Sequence, residues 1–276
     1  MTTTRSNRGA RSRAPLPISP RERLLRGVIG TIVVIVALEL IVRLNVVDSS
    51  YFSPPSVIAG RVLELLTSPT FLADVGATLL AAAIGLLLAC IIAIPAGITL
   101  GSFKLAYAGA RSIVDMLRPI PSVALIPLAI LLFGGSLGMK VSLILYASIW
   151  PILFNAIYGA HDVDKLAIET ARTFGMNRFK ILTRVTLPHA APFIATGVRI
   201  SAAIALVLAI TAEFLGGGRD GIGKWMLEIQ VAGSQTDLLL AGIFIAGLVG
   251  VAMSAVLSLI ERKLFPWYRL RYGRTA

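Results

Sequence analysis

The sequence predicts an all-α integral membrane protein of about six transmembrane helices with one cytoplasmic helix–turn–helix loop. Three observations carry that prediction. Hydrophobic residues make up 56% of the 276 positions and charged residues 14%, with a mean hydropathy of +0.83, where an ordinary soluble domain is roughly 25% charged. The apolar residues gather in runs of about 20, the length that the hydrocarbon core of a bilayer demands of a helix. A single segment, IETARTFGMNRFKILTRVTLPHAAP, interrupts them with Glu169, Arg172, Arg178, Lys180 and Arg184.

The arm at residues 1–26 holds seven arginines together with Pro15, Pro17 and Pro20, and is expected to be a disordered basic cytoplasmic arm. It does not have the form of a signal peptide. The first apolar run is followed by RLNVVDSSYFSPP, which offers no small-x-small cleavage site. A transmembrane domain at 27–262 then divides into spans near 27–45, 75–100, 119–136, 139–159, 194–214 and 237–260. The third is short and marked by Pro119, Pro121 and Pro127, which are expected to kink it. A basic cytoplasmic tail occupies 263–276.

Orientation follows from the distribution of Lys and Arg. With the N-terminus in the cytoplasm, the inner segments 1–26, 101–118, 160–193 and 261–276 carry twenty such residues, and the outer loops 46–74 and 215–236 carry three. Arg43, Lys140 and Arg199 fall at span ends, where they are expected to snorkel toward water. The bias places both termini and the charged segment in the cytoplasm of a multi-pass protein of the cell membrane.

Between the second and third spans, Lys104, Arg111, Asp115 and Arg118 line one narrow stripe of a helical wheel. This predicts a helix lying at the membrane surface or entering it obliquely. Gly97 and Gly101 form a G-x-x-x-G, a pair that permits close helix approach. Cys90, the only cysteine, lies in an apolar run and reads as a small packed hydrophobe. With two histidines and one cysteine, no protein-built metal site is expected, and no cofactor is expected on this chain.

Within residues 162–188 the local chemistry spells an elbow. Asp162 or Asp164 can cap a first helix, along which Leu166, Ala167, Ala171 and Phe174 fall at helical spacing. Gly175 supplies the left-handed residue that ends it. Asn177 can cap a second helix, RFKILTRVTL, which should stop or kink at Pro188. The pattern E-T-A-x3-G-x9-V-x-L-P, Glu169, Thr170, Ala171, Gly175, Val185, Leu187 and Pro188, resembles the EAA loop of binding-protein-dependent ABC importer permeases, E-A-A-x3-G-x9-I-x-L-P. Every spacing fits, with Thr170 and Val185 as conservative departures. The resemblance runs from about Asp74 to Arg262. LRPIPSVALIPLAILLFG before the loop and AEFLGGGRDGIGKWM after it are similar to permeases of the nitrate/sulfonate/taurine/bicarbonate group.

The resemblance implies a type I importer permease fold and a division of labour. The chain is the membrane-spanning subunit, acting as a pair with a second copy or a homologue by alternating access. Separate cytoplasmic ABC ATPase subunits bind ATP and Mg, and an extracytoplasmic binding protein delivers a small solute. That solute is expected to be an anion such as a sulfonate or nitrate, with another small solute such as a vitamin precursor as the alternative. The loop is then the coupling helix. Phe174 and Met176 are expected as its apolar anchors, with Arg172 and the other basic residues as a polar rim. Glu169 is free to pair with Arg172 or with the partner.

Other features are weaker. Gly218–Trp225, GRDGIGKW, nearly spells a phosphate-binding loop, but Trp225 stands where a hydroxyl should hold Mg²⁺. The overlapping glycines Gly216, Gly218 and Gly221 follow no strand. A flexible outer turn is expected there, with docking of a binding protein as the second reading. No ATPase site is expected in this chain. Glu39 and Arg43 are placed for an i,i+4 ion pair. Glu213 in the fifth span is expected to gate or to pack, and stands with the candidate pathway residues. Ser148 and Asn155 share a face of the fourth span, where they line the pathway or bridge to another helix. His161 and His189 bracket the loop and read as solvated or interfacial. The alternative is an ATP-independent secondary transporter or channel, which would want ionisable residues near the bilayer midplane. A membrane enzyme would want a clustered catalytic set, and none is visible. Nucleic acid is not an expected partner, because basic loops in a membrane protein report orientation.

Overall fold

In the computed structural model, residues 20–47, 51–216, 218–233 and 235–266 are described. The expected arm therefore falls largely outside the described residues, as does most of the expected tail. The chain divides into two compact units, Met1–Ser56 and Val57–Ala276.

The first unit is built on α1, Pro20–Arg43, which begins inside the stretch expected to be an arm. Proline at a helix start costs no hydrogen bond, since that N–H would lack a partner anyway. Most of its aliphatic side chains face outward, as a helix in hydrocarbon allows. Near its end Arg43 Nε donates to Glu39 Oε1 at 2.6 Å, the expected pair. Glu39 also accepts from the backbone N–H and the hydroxyl of Ser56, at 3.0 and 2.7 Å.

The second unit contains α2 (Pro55–Thr67, beginning two residues earlier), α3 (Pro69–Ser102), α4 (Lys104–Leu117), α5 (Ile126–Phe133), α6 (Leu137–His161), α7 (Lys165–Thr173), α8 (Arg178–Ile181), α9 (Leu187–Gly216), α10 (Ile222–Ala232) and α11 (Thr236–Leu264). Among the described residues every regular element is helical. Helices α3, α6 and α9 form the core. Their seams are made of small residues: Ala81, Ala82, Ala89, Ala93, Ala156, Ala160, Ala190, Ala205 and Ala209 are buried, while Leu87, Ile91 and Val207 face outward. Lipid is as apolar as leucine, so membrane helices associate through close packing, and small residues permit it.

At the Gly97–Gly101 pair α3 lies close against α6. A Cβ at Gly97 would stand 2.5 Å from Ala156 Cβ and 2.8 Å from the Leu153 carbonyl oxygen; at Gly101 it would stand 2.6 Å from Ala160 Cβ. A second cluster joins Val62 and Leu65 of α2, Phe71 of α3 and Ala241 and Ile245 of α11, with Trp225 edge-on to Phe71. Arg61 ties the same three-helix corner together by its 2.6 Å bond to Asp237.

Two expectations about the spans need correction. The third span is not a single kinked helix over 119–136. It is α4, a break, a 3₁₀ turn at Ser122–Leu125 and α5, bent by 74° between Lys104–Leu117 and Ser122–Phe133. Pro119 and Pro121 explain the break, since neither can donate to the helix and each disfavours helix in the residue before it. The described chain therefore has five helices long and apolar enough to cross a membrane, and six spans if the bent pair counts as one. Helix α4 buries no residue in the chain. Its charged stripe holds an exposed Arg111–Asp115 pair at 3.5 Å, and Arg118 beyond it stacks over Phe154.

The second correction concerns Pro188, where a stop or a kink is expected and the stop does not occur. Residues Leu182–Thr186 form one π-helical turn, and Arg178–Gly216 continues as a 39-residue span. The wider turn shows in Leu187 N–H, which donates to the Leu182 carbonyl five residues back, and single turns of this kind occur inside α-helices.

Candidate functional site

The charged segment folds as the elbow that its residues predict. Asp164 Oδ1 accepts from Leu166 N–H at 2.9 Å and caps α7. Asn177 Oδ1 accepts from Lys180 N–H at 2.8 Å and caps α8. Between them Gly175 has φ +73°, a conformation that strains any residue with a Cβ. Its N–H donates to the Arg172 carbonyl at 2.9 Å, and Met176 N–H reaches back to Ala171 at 3.1 Å. These two bonds together make a Schellman cap. At the base, His189 Nε2 and Asp162 Oδ2 are 3.1 Å apart, across the two chain segments that enter and leave the elbow. His161 lies edge-on to Tyr107.

The predicted anchors divide. Phe174 is 81% exposed, which suits a docking knob, while Met176 is half-buried. The second exposed aromatic is Phe179, at 73%, which the sequence reading passed over. It sits on the α8 turn beyond the glycine, and its signal was a lone aromatic among Arg178, Lys180 and Arg184. Glu169, Thr170 and Arg172 are exposed, Ala171 is buried, and Leu187 and Pro188 lie on the exposed side of the first turn of α9. Among the described residues Glu169 makes no ion pair with Arg172.

A second constellation lies at the far end of the long helix. Glu213 is 0% exposed and Lys140 2%. Lys140 Nζ donates to Glu213 Oε1 at 3.1 Å, and to the carbonyl and carboxylate of Asp220 at 3.0 and 3.1 Å. Thr78 Oγ1 lies 3.0 and 2.9 Å from the two Glu213 oxygens and accepts from Ile222 N–H at 2.9 Å. Gly223 N–H donates to Glu213 Oε2 at 3.1 Å, and Gly221 N–H to Asp74 Oδ1 at 2.8 Å.

Lys140 therefore does not snorkel. A lysine this deep needs a partner, and the opposite charge at the end of the fifth span provides it. The same bonds correct the reading of Gly218–Trp225. That loop is fastened to the bundle, since the amides of Gly221, Ile222 and Gly223 bind Asp74, Thr78 and Glu213. Glu213, expected from sequence to gate or to pack, lies at the centre of this network.

Ser148 and Asn155 take separate hydrogen-bond partners. Ser201 Oγ donates to the Ser148 carbonyl at 2.8 Å and Ser148 lies 3.5 Å from the Ser201 carbonyl, so Ser148 is wholly buried as a bridge between α6 and α9. Asn155 Nδ2 donates to the Pro151 carbonyl one turn back, at 2.8 Å, satisfying an oxygen of its own helix. Among the described residues no cluster of metal-ligating side chains occurs.

The sequence profile of binding-protein-dependent transport system inner membrane components matches residues 85–269. The chain belongs to this family. The permease is 28% identical over 257 residues to the taurine transport system permease protein TauC of Escherichia coli, covering 90% of this chain and 92% of the relative. It is 30% identical to the nitrate import permease protein NrtB of Leptolyngbya laminosa, covering 70% and 68%. Its fold matches a chain of the MetNI methionine ABC transporter, crystallised in inward-facing conformations, with a TM-score of 0.62 at 17% identity, over 70% of the permease and 94% of that chain. The permease thus has the type I importer fold and is the membrane-spanning subunit of an ABC importer. The alternative of a self-sufficient secondary transporter is not favoured.

Proposed function

We propose that the permease carries a small anion, of the sulfonate or nitrate kind, across the cell membrane by alternating access driven from the elbow. The relatives named for taurine and nitrate support the substrate class. In this reading both termini and the elbow face the cytoplasm, as the Lys and Arg distribution favours. A separate ABC ATPase subunit seats on Phe174 and Phe179, with Arg172, Arg178, Lys180 and Arg184 as a charged rim and Glu169 free for the partner. A second permease, identical or homologous, completes the pathway. An extracytoplasmic binding protein delivers the solute. ATP and Mg belong to the ATPase.

The observation that carries this reading is the exposure of two aromatic side chains on a turn capped at both sides. Rigid aromatic knobs on a preorganised surface are what dominates an interface energetically, and a docked ATPase would remove both from water. The elbow also stands at the head of a helix that runs unbroken through the bundle, so a push on it is transmitted rather than absorbed. The test is association of the purified permease with its ATPase. Phe174→Ala and Phe179→Ala should each weaken it by on the order of tenfold or more, as truncation of an anchor commonly does. Unchanged association in both would place the docking surface elsewhere.

A further inference from the structure

The helix that begins in the elbow ends at the buried ion pair. Arg178–Gly216 spans 39 residues, and at about 1.5 Å per residue that is roughly 58 Å from one end to the other. Glu213 lies in its last turn, and the loop that follows is fastened back onto it. Gly223 N–H bonds Glu213 itself, Ile222 N–H bonds Thr78, and Lys140 joins Glu213 to both the carbonyl and the carboxylate of Asp220. A Cβ at Gly221 or at Gly223 would collide with Glu213. The loop is therefore fitted around this carboxylate. It also forms part of the wall of a cavity of about 670 Å³, lined among others by Leu80, Phe133, Ser136, Lys140, Arg219 and Asp220.

We infer that the Lys140–Glu213 pair is a positioning latch for transport, making the far loop and the mouth of this cavity follow the helix that the elbow drives. The inference rests on the docking role proposed above. Stability alone does not account for the pair, because apolar residues of similar shape commonly replace a buried ion pair without loss. Apolar contacts, however, are non-directional. A three-point bridge from one ammonium fixes where the loop sits.

The bridge is also asymmetric. Its Glu213 half is sealed from water, whereas the Asp220 side chain is 62% exposed. Asp220 can exchange Lys140 for water and Glu213 cannot, so the Lys140–Asp220 contact is the part of the bridge that opens while Lys140 stays with Glu213.

The test uses the complete transporter, the permease with its ATPase and loaded binding protein in liposomes. The variant K140M/E213Q removes both charges at nearly constant volume and keeps a carbonyl for Thr78 and Gly223. The latch predicts a complex that keeps its ATPase and melts within a few degrees of wild type. Stimulation of ATP hydrolysis by the loaded binding protein should fall on the order of tenfold, within the range typical of coupling between distant sites. D220N, a change at an exposed side chain, should lower stimulation by a smaller factor, and it decides the matter if the double variant does not fold. Wild-type stimulation in D220N and in any folded K140M/E213Q complex would overturn the latch. Failure of the wild-type permease to bind any ATPase would instead end the docking reading, and the latch with it.

Discussion

At the scale of single residues, two positions carry most of the structural consequence. Gly175 holds φ +73° and donates its N–H to Arg172, so proline there loses both the conformation and the bond. Gly175→Pro is expected to abolish transport while leaving the chain inserted in the membrane, as a membrane-fraction blot beside an uptake assay would show. Uptake at wild-type rate would refute the elbow's role. Glu213 is the other position. Removing one member of a buried ion pair leaves an uncompensated charge and costs about 3–5 kcal/mol. Glu213→Ala and Glu213→Gln should therefore both lower the thermal midpoint of the purified chain, the alanine further, since glutamine keeps one carbonyl oxygen as an acceptor for Thr78 or Gly223. A wild-type midpoint in both would mean that Lys140 finds another partner.

Elements show why some of this architecture was legible in the sequence. The α7 and α8 caps and the turn at Gly175 are encoded by neighbours within a few residues, so Asp164, Gly175 and Asn177 announced them. The closeness of α3 and α6 was announced by Gly97 and Gly101. Overpacking a fitted core costs about 1–3 kcal/mol or more, and here the added side chain would meet the Leu153 main chain. Gly97→Leu should thus lower the midpoint sharply while the outward-facing Leu87→Ala changes it little. Similar midpoints for the two would contradict the seam. The Lys140–Glu213 bond was not legible, because it joins residues 73 apart in the chain and depends on which way two span ends turn. The π-turn at Leu182–Thr186 was missed for a related reason. Proline announces a lost hydrogen bond and does not say how neighbouring carbonyls will be satisfied. Phe179 was hidden among basic residues whose charges drew the reading toward a rim.

On the scale of the whole molecule, the permease is a small-residue bundle with one charged elbow and one buried polar knot, joined by a single long helix. Composition announced the membrane and the apolar runs announced most of the spans. The bend between α4 and α5 needed the structure, since three prolines mark a break without giving its angle. The central claim is that the elbow receives an ATPase and that this contact makes the chain an importer subunit. The most direct measurement is affinity purification of the permease from its native membrane in mild detergent, with identification of what accompanies it, for wild type and for a variant with residues 169–176 scrambled. The account predicts an ABC ATPase subunit recovered with the wild type and lost from the scrambled variant, while both chains remain folded. A folded wild-type chain that brings down no ATPase, or a scrambled variant that keeps it, would contradict the claim.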